Sequence, residues 1–177
     1  QRILQEAWNS RAPDLPFANA AEALALASIV EKETGLASER ARVAGVYINR
    51  LRIGMRLQSD PSVIYGIRNY DGNIRRSDLR RDGPYNTYTR AGLPPTPIAL
   101  PGLDAIIATL NPEKTDALFF VAIGDGSGGH YFAATNAEHN RNVQRYLERL
   151  RAAPPASDAL ADAPPAADAP AAGGSPP

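Results

Sequence analysis

The chain has 177 residues, 19 basic and 19 acidic side chains and no cysteine, which sets aside a disulfide scaffold and any thiol nucleophile. Three of the acids, Asp158, Asp162 and Asp168, lie near the C-terminus, so the rest carries 19 basic against 16 acidic residues, about +3, too mild to argue for nucleic acid. No apolar run approaches membrane-spanning length and no signal peptide is visible.

Residues 2–10 read as the end of a helix, followed by the proline-interrupted RAPDLPF. Because the chain starts at Gln1 in mid-helix, it is expected to be a piece of a longer protein. Asn19-Ala-Ala-Glu22 has capping-box spacing and opens a helix from about 20 to 34. Gly35 sits where a glycine just past the last turn would stop that helix. Ser38-Glu39 opens a second helix, about 39 to 52, with Val43, Val46, Tyr47 and Leu51 on its apolar stripe and Gly54 after its end. The stretch 55–101 is rich in turn formers, with short helices expected at 62–66 and 77–81; loop regions this long in a compact domain are usually functional. Residues 103–110 read as a helix closed by Asn111-Pro112. Strands follow at 117–123 and 130–134, joined by the hairpin loop GDGSGG. Thr135-Asn-Ala-Glu138 is a second capping box, opening a helix from about 136 to 151.

This order predicts an α+β fold, a helical domain with a small antiparallel hairpin and long cleft-lining loops. The domain spans 1–151, with 1–19 as a lead-in helix and loop. Residues 152–177 are mostly Ala, Pro, Gly and Ser with one large apolar residue, Leu160; they read as a disordered tail.

ASIVEKETG, residues 27–35, places two glutamates at the end of an apolar helix. Positions i and i+2 point about 200° apart on a helix, so Glu31 and Glu33 cannot act as a pair. Both faces are partly apolar, and periodicity does not choose between them; the small Ser28 beside Glu31 leaves room for a ligand. Arg50 falls in the apolar stripe of the second helix, and a buried guanidinium wants a carboxylate. An arginine beside a catalytic acid would depress its pKa. On these grounds Arg50 is expected to pair with Glu33 as a structural ion pair, which leaves Glu31 for chemistry. The two histidines, His130 and His139, have no ligand spacing, so no metal is expected. The glycines of 124–129 join strands rather than open a helix, which argues against a phosphate cradle.

The segments LASIVEKETG, ERARVAGVYINRLRIGMRLQSDPSVIYG, YNTYTRAGLPPTPIALPG and LFFVA…GGHYF followed by TNAEHN together resemble the YceG-like family of endolytic murein transglycosylases, over roughly 20–150. The resemblance implies cleavage of peptidoglycan between N-acetylmuramic acid and N-acetylglucosamine without addition of water, with 1,6-anhydro ends as product and no cofactor. It implies that the first glutamate of the motif, Glu31, is the acid/base, lysozyme-like in mechanism but needing one carboxylate where ordinary glycosidases use two. It further implies a bacterial periplasmic setting, an inner-membrane anchor upstream of this chain, and work on nascent strands near the penicillin-binding synthases, limiting strand length.

Smaller expectations attach to other residues. Gln58 and Asp60 lie in LQSDP, near the family's active site, although Asp60 before Pro61 also suits a turn or cap. Tyr85, Asn86, Thr87 and Tyr88 offer aromatic and hydrogen-bonding groups for sugars, or core packing. Tyr131, His139 and Asn140 have cleft-lining and structural readings alike. Two rival functions are a hydrolytic muramidase using Glu31 and Asp60, and a non-catalytic peptidoglycan-binding module.

Overall fold

The computed structural model describes residues 2–152, so the tail reading lies outside the described residues except for Ala152. The elements in chain order are α1 (Arg2–Asn9), α2 (Ala20–Glu33), α3 (Arg40–Arg52), α4 (Asp60–Gly66), α5 (Arg76–Arg80), α6 (Leu103–Leu110), β1 (Phe119–Ala122), β2 (His130–Ala133) and α7 (Asn136–Ala152), with one 3₁₀ turn at Ala37–Glu39. The fold is α+β, as the sequence predicts.

Three helices make the core. α2 packs on α3 and α6, and α3 packs on α6. Leu26, Ile29 and Val30 of α2, Val43, Tyr47 and Ile48 of α3, and Leu110 of α6 are all sealed from solvent. Alanines at 23, 25 and 27 are buried with them, and their small size lets the helices approach closely. In α3 the interior Gly45, which would cost about 1 kcal/mol relative to alanine in an open helix, has a steric reason. A Cβ there would lie 2.6 Å from the Glu113 carbonyl oxygen and 3.0 Å from Thr115 Cγ2.

The caps are close to those expected. Asn19 Oδ1 accepts the N–H groups of Ala21 and Glu22 at 3.0 and 3.1 Å. The Glu22 carboxylate accepts from Ala18 N–H at 2.8 Å rather than from Asn19, so the reciprocal arm lands one residue earlier than the motif predicts. α2 stops differently from the expectation. Thr34 is extended and Gly35 does not enter the left-handed region; the Thr34 hydroxyl instead accepts Leu36 N–H at 3.1 Å. Gly54, at φ +68°, does end α3.

β1 and β2 pair antiparallel with Phe120 opposite Phe132 and Ala122 opposite His130. The strands are shorter than predicted, because only 119–122 and 130–133 form ladder pairs. Gly124, Gly126 and Gly128 all take positive φ in the connecting loop. The hairpin packs on α7, and β1 also touches α3.

Gly45→Ala is expected to destabilise the domain by about 1–3 kcal/mol, since backbone at 113 must move. Chemical denaturation of the variant checks it; unchanged stability would mean that the 113–115 segment yields freely.

Candidate active site

α2 and α3 run side by side, and where they meet the 57–60 loop they enclose Glu33. Its Oε1 accepts two hydrogen bonds, from Tyr47 Oη at 2.6 Å and from Ser59 Oγ at 2.7 Å. Burial pushes the Glu33 pKa up; the two hydroxyl donors pull it down less strongly, and the nearby Asp60 adds a smaller upward push. Helical periodicity places Tyr47 on the apolar stripe of α3, and it is buried there. A buried phenol needs a hydrogen-bond partner, and that unmet need was the available signal for a carboxylate opposite it. Ser59 carried no such signal.

Glu33 lines a small pocket of about 160 Å³ together with Tyr47, Arg50, Gln58, Asp60 and Tyr88, closed on one side by Phe120. Tyr88 Oη donates to Asp60 Oδ1 at 2.6 Å. Burial and the neighbouring carboxylate push the Tyr88 pKa up, and burial, with Glu33 second, does the same to Tyr47. Both phenols therefore stay protonated and act as donors to their carboxylates. Gln58 holds a left-handed backbone, φ +53°, which for a residue with a Cβ costs about 1–2 kcal/mol. Its N–H is fixed by the Thr87 carbonyl at 3.1 Å. Strain of this kind gathers where a side chain must be aimed, and Gln58 lies in the pocket wall.

One expectation needs correction. Arg50 does not pair with Glu33. Its Nε donates to the Leu118 carbonyl at 2.6 Å and its Nη1 to the Leu57 carbonyl at 2.5 Å, and no contact between the two residues is of salt-bridge length. The guanidinium is consumed by carbonyls of irregular backbone on either side of α3, which have no ladder partners of their own. Glu33, held by neutral hydroxyls alone, is free to titrate high. Glu31 lies outside the lining of the Glu33 pocket; its Oε2 accepts Gly102 N–H at 3.0 Å. Gly102 is the N-cap of α6, so Glu31 sits at the positive end of that helix and ties it to α2.

The remaining predicted residues separate into three groups. Gln58, Asp60 and Tyr88 come together with Glu33. Ser28, Asn86 and Thr87 are buried fasteners: Ser28 Oγ donates to the Ala25 carbonyl and accepts Ile98 N–H at 2.7 and 2.9 Å. Asn86 Nδ2 donates to the carbonyls of Asp78, Leu79 and Arg81, and its Oδ1 accepts Tyr88 N–H at 2.8 Å. Thr87 Oγ1 accepts Ser59 N–H at 2.9 Å and pairs with Ser62 Oγ. Asn86 and Thr87 hold α5 and the 57–60 loop in place around the Glu33 pocket without lining it, and Ser28 fastens the backbone at Ile98. Tyr85 bonds Thr96 Oγ1 and meets Tyr65 edge-on, away from Glu33. Tyr131 lies beside Arg145 and Arg149 on the far face of the hairpin. Asn140 is exposed on α7, and His139 stacks on Phe119 at 5.1 Å. His130 binds Glu39 through Nδ1 at 2.7 Å.

The site is thus a helical α+β frame holding one carboxylate of raised pKa in a polar cleft. The family model described as the YceG-like family matches residues 1–145, and the chain belongs to that family. It is 40% identical over 124 residues to a Bacillus subtilis protein named endolytic murein transglycosylase, covering 70% of this chain and 34% of the relative. A Streptococcus pneumoniae protein of the same name is 40% identical over 132 residues, covering 71% of this chain and 24% of the relative. Among solved structures, a YceG-like protein of Listeria monocytogenes matches with a TM-score of 0.65 and 41% identity, over 70% of this chain and 40% of that one. The chain thus spans a quarter to two-fifths of the length of these relatives.

Glu33 titrates higher in the folded protein than in the unfolded chain, so the stability it contributes is fully present below the unfolded value of 4.5 and is lost as pH rises toward the folded value. Glu33→Gln removes that loss. Melts of variant and wild type should therefore move in the variant's favour as pH rises above 4.5, until Glu33 has ionised in the folded protein. A relative stability that falls over the same range would mean that the ionised form is the one the fold prefers.

Proposed function

We propose that this chain is the catalytic part of a lytic murein transglycosylase, with Glu33 as its acid/base. The observation that carries the reading is the Glu33 carboxylate, raised in pKa and lining a polar cleft, in a chain 40% identical to proteins named endolytic murein transglycosylase.

In this mechanism, protonated Glu33 gives its proton to the glycosidic oxygen as the bond to muramic acid C1 breaks. The carboxylate so formed takes the proton of the same sugar's 6-hydroxyl, whose oxygen closes onto C1 as the 1,6-anhydro ring. Protons balance over the cycle and no water is consumed. A raised pKa serves the first half, since the acid must hold its proton near neutral pH. The donors from Tyr47 and Ser59 serve the second, because they stabilise the carboxylate at the moment it forms. Arg50, immobilised by two carbonyls, lends a fixed positive field to the pocket without neutralising the acid through contact.

A bacterial periplasmic site, a membrane tether elsewhere in the protein, and action on nascent strands beside penicillin-binding synthases belong to the same reading and rest on the family resemblance. Among the described residues no helix is long and apolar enough to cross a membrane. A hydrolytic variant of the reading is favoured by one observation: Asp60 lines the same pocket as Glu33 and could serve as the second carboxylate of a muramidase. Its Oδ1 is already engaged by Tyr88, which favours the lytic route. Mass spectrometry separates them, since the hydrolytic product is heavier by one water.

On purified glycan strands, Glu33→Gln should lower the rate of anhydro-product formation by about 10²–10⁴-fold, whereas Glu31→Gln should stay within a few-fold of wild type. The reverse pattern would return the acid role to Glu31. Binding without turnover in the wild type would make the chain a glycan-binding module.

A further inference from the structure

The pocket at Glu33, about 160 Å³, is smaller than the roughly 300–1,000 Å³ that ordinary ligand sites occupy. A polymer must therefore be held elsewhere along the cleft. α4 leads to the place. Asp60 at its start lines the Glu33 pocket, and Tyr65 and Gly66 at its end line a second cavity of about 760 Å³. Asp60 and Gly66 are six residue steps apart on the helix, about 9 Å. The segment 83–88 forms a second shared wall, with Tyr85 at the large cavity and Tyr88 at the small one.

The chemistry of the larger cavity is specific. Tyr65, half exposed, meets Tyr85 edge-on with ring centroids 4.8 Å apart, and an exposed aromatic face of this kind suits the apolar face of a sugar ring. Five charged side chains line the walls. Three are already engaged. Arg75 pairs with Asp71, Asp78 accepts Arg75 N–H at 2.9 Å, and Asp82 is clamped by Arg90 and Thr89 at 2.9 and 2.8 Å. Arg68 and Arg81 have no carboxylate partner among the described residues. Two uncommitted guanidinium groups beside an aromatic wall call for a ligand with sugar rings and a carboxylate, since arginine binds carboxylates in a two-point geometry.

We propose that this cavity is a subsite for the muramic acid arm of the glycan, with Arg68 and Arg81 binding a carboxylate on it. The inference rests on the murein reading of the substrate. Two sources share that chemistry: a carboxylate of the peptide stem, and the lactyl carboxylate that removal of the stem exposes.

Binding to the Glu33→Gln protein, measured by titration calorimetry, separates these from no recognition at all. The probes are a stem-bearing muropeptide tetrasaccharide, the same tetrasaccharide after amidase treatment, and chitotetraose, which lacks the arm altogether. The stem-bearing fragment is expected to bind at least about tenfold more tightly than chitotetraose. Arg68→Ala with Arg81→Ala should bring it down to the chitotetraose level. The amidase-treated fragment binding like the intact one places the lactyl carboxylate in the cavity; binding like chitotetraose places the stem there. Equal binding of muropeptide and chitotetraose, or a preference that survives the double substitution, overturns the proposal. Both arginines are exposed, and a thermal melt shows whether the double variant keeps its fold. Wild-type protein that discriminates among these probes yet cleaves no glycan would sink the lyase reading and leave the subsite standing.

Discussion

The arrangement around this cleft depends on how one carboxylate is kept inside the protein without a cation to hold it. Removing an ionised glutamate from water costs several kcal/mol unless it is paired, and the obvious partner, Arg50, is one helix away. The fold spends that guanidinium on the carbonyls of Leu57 and Leu118 instead and gives Glu33 only the hydroxyls of Tyr47 and Ser59. Hydroxyls can solvate either protonation state, because a protonated carboxyl still offers a carbonyl oxygen to accept their bonds. An ion pair would have fixed the charged state and depressed the pKa. The choice of partner thus leaves the Glu33 pKa raised by burial rather than fixed low by an ion pair.

The rest of the domain keeps that arrangement in register. Leu57 and Ser59 belong to an irregular segment that no helix or sheet supports, and its position is set from three directions. Arg50 holds it from α3, Thr87 takes the Ser59 N–H, and the Thr87 carbonyl takes the N–H of Gln58. Asn86 in turn gathers three carbonyls from the end of α5. A buried side-chain amide that satisfies this much loop backbone replaces a missing element of secondary structure. The strained Gln58 is tolerated because its neighbours on both sides are fixed.

Much of the frame was legible in the sequence, for reasons that are local. Helix α6 follows from a short apolar run closed by Asn111-Pro112, and the glycines of 124–129 announce the hairpin. Asn19 and Glu22 mark the start of α2 to within a residue. The site was less legible. Helical geometry correctly separates Glu31 from Glu33, but both faces of α2 are partly apolar, and their fates depend on partners 26 to 71 residues away: Ser59 for one, Gly102 for the other. Arg50 finds its partners in backbone rather than in a side chain. A buried guanidinium is satisfied as well by orphan carbonyls as by a carboxylate, and periodicity says nothing of loop backbone. The fastening roles of Asn86 and Thr87 are hidden for the same reason, since polar residues that fasten loops have the composition of those that face a ligand.

The acid role proposed for Glu33 requires that it keep its proton above the range of an ordinary glutamate. Carbon-13 NMR of the glutamate side-chain carboxyls, with the Glu33 signal identified by its loss in Glu33→Gln, measures this directly. The expected midpoint for Glu33 lies clearly above the usual value of about 4.3. A midpoint at or below that value would mean that Tyr47 and Ser59 stabilise the anion more than burial disfavours it, and the acid role assigned to Glu33 would fall.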